Sequence, residues 1–169
     1  MRKRGLIFVF FFLFALTSGC DIIKDAADIE FTILQSHVFT IDVTLTTFPY
    51  DLDLTTNSDY QRYRGKIRRI EIDYLRYSIT TNTGNGGRAD FYATSFGGSF
   101  ASATKVAETI SFAAGETRGA TDVVWLNKDF IETLLNTGKL SVWAVATGTN
   151  VRLTVPVEIR VKVIANPFE

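Results

Sequence analysis

The chain has 169 residues, with 18 Lys+Arg against 18 Asp+Glu, a single Cys and a single His. That even balance offers no excess of cations to face phosphate, which argues against nucleic acid as a partner. One Cys rules out a disulfide framework, and one His without a second thiol leaves a zinc ion only carboxylates, so no cofactor is expected.

In chain order, Arg2, Lys3 and Arg4 form a positive start, and Leu6–Leu16 is an unbroken apolar run with five phenylalanines. Eleven helical residues rise about 16 Å, too short for a bilayer core of about 30 Å, so the run reads as the apolar region of a secretory signal. It ends in Thr17-Ser18-Gly19-Cys20. This segment resembles the lipobox of bacterial lipoproteins, in which Leu and two small residues precede the Cys. Thr17 stands at the usual Leu position, with Leu16 one place early. The resemblance implies diacylglyceryl attachment to Cys20, cleavage after Gly19 and acylation of the new amino terminus. Several acyl chains on one residue hold to a membrane where one holds only marginally. The expected organisation is a signal peptide at 1–19, a lipidated tether at 20–29 and a folded domain at 30–166. The expected address is the cell envelope, anchored at the membrane through Cys20, facing periplasm or surface. Asp21 resembles the inner-membrane retention signal of enteric bacteria, a rule of limited reach, and the outer membrane is the expected location.

Residues 20–169 carry 15 Lys+Arg against 18 Asp+Glu, and their length suits one hydrophobic core. From Phe31 the pattern has period two: Phe31, Ile33, Phe39, Ile41, Val43 and Leu45 share one parity, with threonines on the other. Gln35 and His37 interrupt the apolar face, which predicts a bend or bulge that splits the run. Phe48–Asp53 reads as a loop. Ser58 and Gln61 have capping-box form and predict a helix over 59–64, with Gly65 closing it. Residues 66–80 form a strand whose apolar parity shifts by one, which places a bulge or sheet switch at Tyr74-Leu75. Thr83–Gly87 reads as a hairpin turn, with 88–96 as the return strand. Residues 105–114 follow as a strand, 115–119 as a loop, and 122–126 as a short strand or lead-in. Asn127 caps a helix with Asp129 in its first turn and Phe130, Ile131, Leu134 and Leu135 on its apolar face. Residues 140–147 form a strand, and 148–150 a turn. Val151–Val163 then alternate without error; Pro156 puts that strand at an edge or at a change of partner, and Arg152, Arg160 and Lys162 read as edge protection. Gly148 to Ile164 resembles the end of the late-embryogenesis-abundant (water-stress type) β-sandwich, which implies no more than an all-β ending. The whole predicts an all-β fold: a single β-sandwich, immunoglobulin-like in the broad sense, of about seven antiparallel strands with one or two short helices.

Chemistry is sparse. His37 lies on an inward strand face, where a hydrogen-bonded histidine is the bland expectation. Asp51, Asp53, Asn57 and Asp59 have the spacing of calcium-loop oxygens but lack the glycine and terminal glutamate of an EF-hand, so a solvated acidic loop is expected. Residues 62–76 hold six cations and two acids. Arg62, Arg64, Lys66, Arg68 and Arg69, with Tyr60 and Tyr63, form a candidate binding surface for lipid phosphates or anionic glycans, unless acids of residues 20–59 neutralise it. Tyr50, Tyr92, Trp125 and Trp143 add possible stacking rings, Trp143 being expected in the core. Gly84–Gly87 lies between strands and lacks the following helix of a phosphate loop. Glu108 sits on an apolar parity and reads as a buried acid or, more blandly, as a strand-end Glu paired with Lys105, with Asp42 and Asp122 as further carboxylates; no catalytic set emerges. The expectation is a binding or structural accessory module, with an envelope protein or glycan as partner. The alternatives are a carrier or sensor of an apolar ligand such as a lipid, in a cavity lined by residues 88–96 and 140–147, and an envelope glycan hydrolase.

Overall fold

A computed structural model describes residues 28–42 and 47–168. The signal segment, Cys20 and the positions of Val43 and Leu45 lie outside the described residues. Alternating inward apolar residues build ten strands: β1 (Ile29–Ile41), β2 (Thr47–Asp53), β3 (Ile67–Ile79), β4 (Thr81–Asn82), β5 (Gly87–Ser95), β6 (Thr104–Lys105), β7 (Ile110–Phe112), β8 (Arg118–Asp122), β9 (Lys139–Gly148) and β10 (Leu153–Ala165). Seven of them have five residues or more, and two short helices, α1 (Ser58–Tyr63) and α2 (Lys128–Leu135), complete the described chain. The first sheet runs β1-β10-β3-β8, with β4 also on β10; the second runs β2-β9-β5-β6, with β7 also on β5. All pairings are antiparallel. Ile33, Ile72, Val161 and Val163 of the first sheet share one buried cluster with Leu52, Ala93, Leu140 and Ala144 of the second. The fold is therefore an antiparallel β-sandwich.

The bulge expected in β3 is present. Arg160 faces Tyr74 while Val161 faces Ile72, so Asp73 is the extra residue, one place from the expected position. Asn127 caps α2 as expected, its side-chain oxygen accepting from the Phe130 N–H at 3.3 Å. Ile131 and Leu135 are buried, and Glu132 accepts a hydrogen bond from the Ile72 N–H at 2.7 Å. That bond satisfies a β3 donor on the stretch that β8 leaves unpaired.

Other expectations need correction. β1 is neither bent nor split: thirteen residues pair with β10 in one unbroken register. Gln35 and His37 keep the inward parity because polar side chains are tolerated where the sandwich opens at its edge. Residues 47–53 are strand β2, not a loop. Phe48, Tyr50 and Leu52 turn inward, and Pro49 is tolerated because β2 is an edge strand, bonded to β9 alone. The cap of α1 is Asn57, one residue earlier than expected, accepting from the Asp59 and Tyr60 N–H groups at 2.9 and 3.1 Å. The helix does not stop at Gly65 but tightens into a 3-10 turn over Arg64–Lys66.

Residues 83–87 do not make a hairpin. β3 and β5 lie in different sheets, and the segment crosses between them. Thr83 and Asn85 donate to the carbonyls of Arg152 and Asn150 at 3.2 and 3.1 Å, so these glycines serve close backbone approach. The expected 105–114 strand breaks into β6 and β7, because Val106 turns its carbonyl to the Leu126 N–H at 3.0 Å. Strand β8 begins at Arg118, inside the expected loop.

β10 is central rather than an edge, lying between β1 and β3. Pro156 marks a change of partner instead: before it the strand pairs with β4, and beyond it with β3. Arg160 and Lys162 do not guard an edge. They pair across the sheet with Asp73 at 3.3 Å and Glu71 at 2.9 Å, while Arg152 reaches Asp42 at 3.4 Å.

Candidate functional site

The inner faces do not close completely. An apolar cavity of about 50 Å³ lies between the sheets, walled by Leu75, Val157 and Ile159 of the first and Leu52, Phe91, Leu140 and Val142 of the second. Ile131 of α2 and Trp125 complete the wall, and Gln35, Ser36, His37 and Tyr50 line the side where the edge strands β1 and β2 face each other. The strands expected to line such a space do so, through Phe91, Leu140 and Val142. β1, β2, β3 and β10 contribute as well, which their own patterns could not reveal.

His37 is fixed by aromatic contacts. It stacks on Tyr50 with ring centroids 4.1 Å apart and meets Phe39 edge-on at 4.6 Å. Burial lowers its pKa below 6.5 and raises that of Tyr50 above 10.0. Because the folded value lies below the unfolded one, the unfolded chain binds the proton first as pH falls. Stability is then full above pH ~6.5 and declines below it until the folded value is passed. His37 is the only histidine. Urea melts of the wild type are therefore expected to show a loss of stability between pH 7.5 and 5, and His37→Phe to remove it. An unchanged difference between the two pH values in the variant would refute this.

The candidate cations Arg62, Arg64, Lys66, Arg68 and Arg69 are all exposed. Arg68 pairs with Asp28 of the acidic segment at 3.3 Å, and Arg69 with Glu71 of its own strand at 2.9 Å. Lys66 donates to the Pro167 carbonyl, and Arg62 lies over the Tyr63 ring at 5.3 Å. The tyrosines do not join this surface equally. Tyr63 packs on Phe31 at 5.7 Å, and Tyr60 is 3% exposed, which removes it from any stacking role.

The acidic oxygens are spent on local structure. Asp51 accepts from the Ser141 hydroxyl at 2.5 Å. Asp53 caps a 3-10 turn through the Thr55 N–H at 2.9 Å and pairs with Lys139 at 2.7 Å, which holds its carboxyl below the usual range. Among the described residues, no group of three His, Cys, Asp or Glu is placed to hold a metal. Glu108 is exposed rather than buried. Its expected partner Lys105 instead bonds Asp90 at 2.6 Å and the Thr109 hydroxyl at 2.7 Å. Asp122 pairs with Arg76 at 2.6 Å.

Trp143 is not in the core. It shares the outward parity of β9 with Val145, while Ala144 and Ala146 are buried. Phe100 covers it, 5.8 Å from its ring and 5.2 Å from that of Tyr92. Its indole nitrogen is buried and has no hydrogen-bond partner among the described residues. The small alanines on the inward side leave the large ring to the outer face, a choice that residue size alone did not signal.

No family model matches the chain, and no curated protein matches it. Among solved structures it is similar to a chain of Bacillus endospore appendages, described as disulfide-linked pili, at 16% identity over 80% of this chain and 88% of that one, TM-score 0.40. It is similar to a chain of Mud crab tombus-like virus at 9% identity over 83% and 84%, TM-score 0.42. A latent aurone synthase (polyphenol oxidase) matches at 14% identity over 76% of this chain and 26% of that one, TM-score 0.40. At those scores the likenesses carry no functional weight.

Proposed function

We propose that the chain is a lipid-anchored binding module of the bacterial cell envelope that receives an apolar group between its two sheets and catalyses no reaction. The cavity at the β1–β2 side carries this reading. An apolar wall with a few polar groups at its rim, in this case Gln35, His37 and the Tyr50 hydroxyl, is the usual make-up of a ligand site. Its size sets the ligand. An engineered apolar cavity of about 150 Å³ takes benzene, so about 50 Å³ suits the end of an alkyl chain and not a whole lipid. Anchoring rests on the Thr17–Cys20 resemblance and the short apolar run before it, and places the module at a membrane, the outer one in preference.

Trp125 supplies the reporter for a test. 12-Bromododecanoic acid carries a heavy-atom quencher at its chain end and is expected to quench the wild-type fluorescence. The quenching should vanish in Trp125→Phe. Val142→Phe fills the cavity and should weaken the quenching about ten-fold, the equivalent of two methylenes losing their apolar surroundings. Quenching that is the same in Val142→Phe would refute the site. Incorporation of labelled palmitate that persists in Cys20→Ala would refute the anchor.

A further inference from the structure

We propose that two copies of this chain associate edge to edge through β1, in antiparallel register about a two-fold axis at Ser36. β1 ends its sheet, and no other strand meets its outer edge among the described residues. Long open edges recruit other strands unless charges, prolines, bulges or brevity prevent it. The other edges carry such protection. β2 has Pro49, Asp51 and Asp53; β8 has five residues bounded by Arg118 and Asp122; β6 and β7 have two and three residues. β1 carries charge only at its ends, in Glu30 and Asp42: its thirteen residues pair with β10 without a bulge, and no charged residue lies between Phe31 and Ile41. Leu34 and Val38 are 55% and 54% exposed beside that edge.

The strand's own sequence names the occupant. From Phe31 to Ile41 it reads Phe-Thr-Ile-Leu-Gln-Ser-His-Val-Phe-Thr-Ile, a chemical palindrome about Ser36. A two-fold axis at that residue sets Leu34 opposite Val38 and Thr32 opposite Thr40 on the outer face. On the inner face it sets Gln35 opposite His37, Ile33 opposite Phe39 and Phe31 opposite Ile41. Every pair matches apolar with apolar or polar with polar, as favourable cross-strand pairs require. An isologous contact of this kind is self-complementary and closed at two copies. Glu30 and Asp42 fall at the two ends, each beside a β10 cation of its own copy: Lys162 at 4.0 Å and Arg152 at 3.4 Å.

Site-directed cross-linking of the full-length chain in its expression host tests the pairing. Residues directly opposite in an antiparallel pair have Cα atoms about 4.5–5.5 Å apart, within disulfide range. Ser36→Cys is expected to form a disulfide-linked dimer on mild oxidation, above the background set by the wild type with its single Cys20. Leu34→Cys alone should not, because Val38 faces it, whereas the double variant Leu34→Cys with Val38→Cys should. Val38→Lys, added to Ser36→Cys, should lower the dimer yield about ten-fold while leaving the melting temperature unchanged. Equal yields from Ser36→Cys and Leu34→Cys would overturn the proposal, as would a Ser36→Cys chain that stays monomeric.

Discussion

Gly84→Ala is expected to lower stability by about 3 kcal/mol or more and the melting temperature by about 6–12 °C, in a domain of this size. A Cβ at this position would lie 2.2 Å from the Asn150 carbonyl oxygen and 2.5 Å from the Arg152 nitrogen. Both are backbone atoms held in place by the bonds that Thr83 and Asn85 make to the same segment, so neither can give way cheaply. The turn they belong to is itself constrained, with Asn150 at φ +54. Gly65→Ala is the matched control. Nothing lies within 4 Å of its added Cβ, and a shorter list of unfolded conformations should leave it neutral or more stable by about 0.4–1 kcal/mol. Thermal melts of the two variants side by side decide the matter. Equal melting temperatures would show that residues 83–85 do not lie against 150–152.

The second large effect belongs to Leu135→Ala, expected to cost about 3–5 kcal/mol. Leu135 is fully buried and ties α2 to the core. The same helix brings Ile131 to the cavity wall and Glu132 to the Ile72 N–H. Loosening it removes a wall residue and exposes a strand donor together. Denaturant titration should report the loss of stability, and quenching by 12-bromododecanoic acid should weaken in parallel. A variant with wild-type quenching and a loss below 1 kcal/mol would separate the helix from the cavity.

These positions also show where the chain could be read directly. The β3 bulge was legible because a one-residue slip inverts every side chain, and the switch from Ile72 to Leu75 announces it. The α2 cap was legible because Asn127 stands immediately before an apolar helical face. Local chemistry set both. Residues 47–53 misled because Pro49 speaks against a strand unless one knows that the strand is an edge. Gly84–Gly87 misled for the same reason: whether a glycine turn joins neighbours or crosses between sheets depends on partners far along the chain. The cavity belonged to this second class, since its walls come from six strands and a helix. The cations of residues 62–69 are exposed, as charged side chains are expected to be, whereas Tyr60 is buried, its ring lying against Gly138 far along the chain.

The central place of β10 bears on how the chain acquires its fold. β1 is made early, but its partner in the first sheet is a strand more than a hundred residues later. β3 also waits for that strand over most of its length. Until Ala165 has been synthesised, the first sheet has no middle: β1 has no partner in it, and β3 has only its short pairing with β8. Non-local pairing of this kind slows folding and delays the formation of any stable intermediate. If the chain is exported as proposed above, a first sheet that stays open until its final strand arrives would keep it threadable through a translocation pore. The open strands also depend on protection from aggregation until that strand is made.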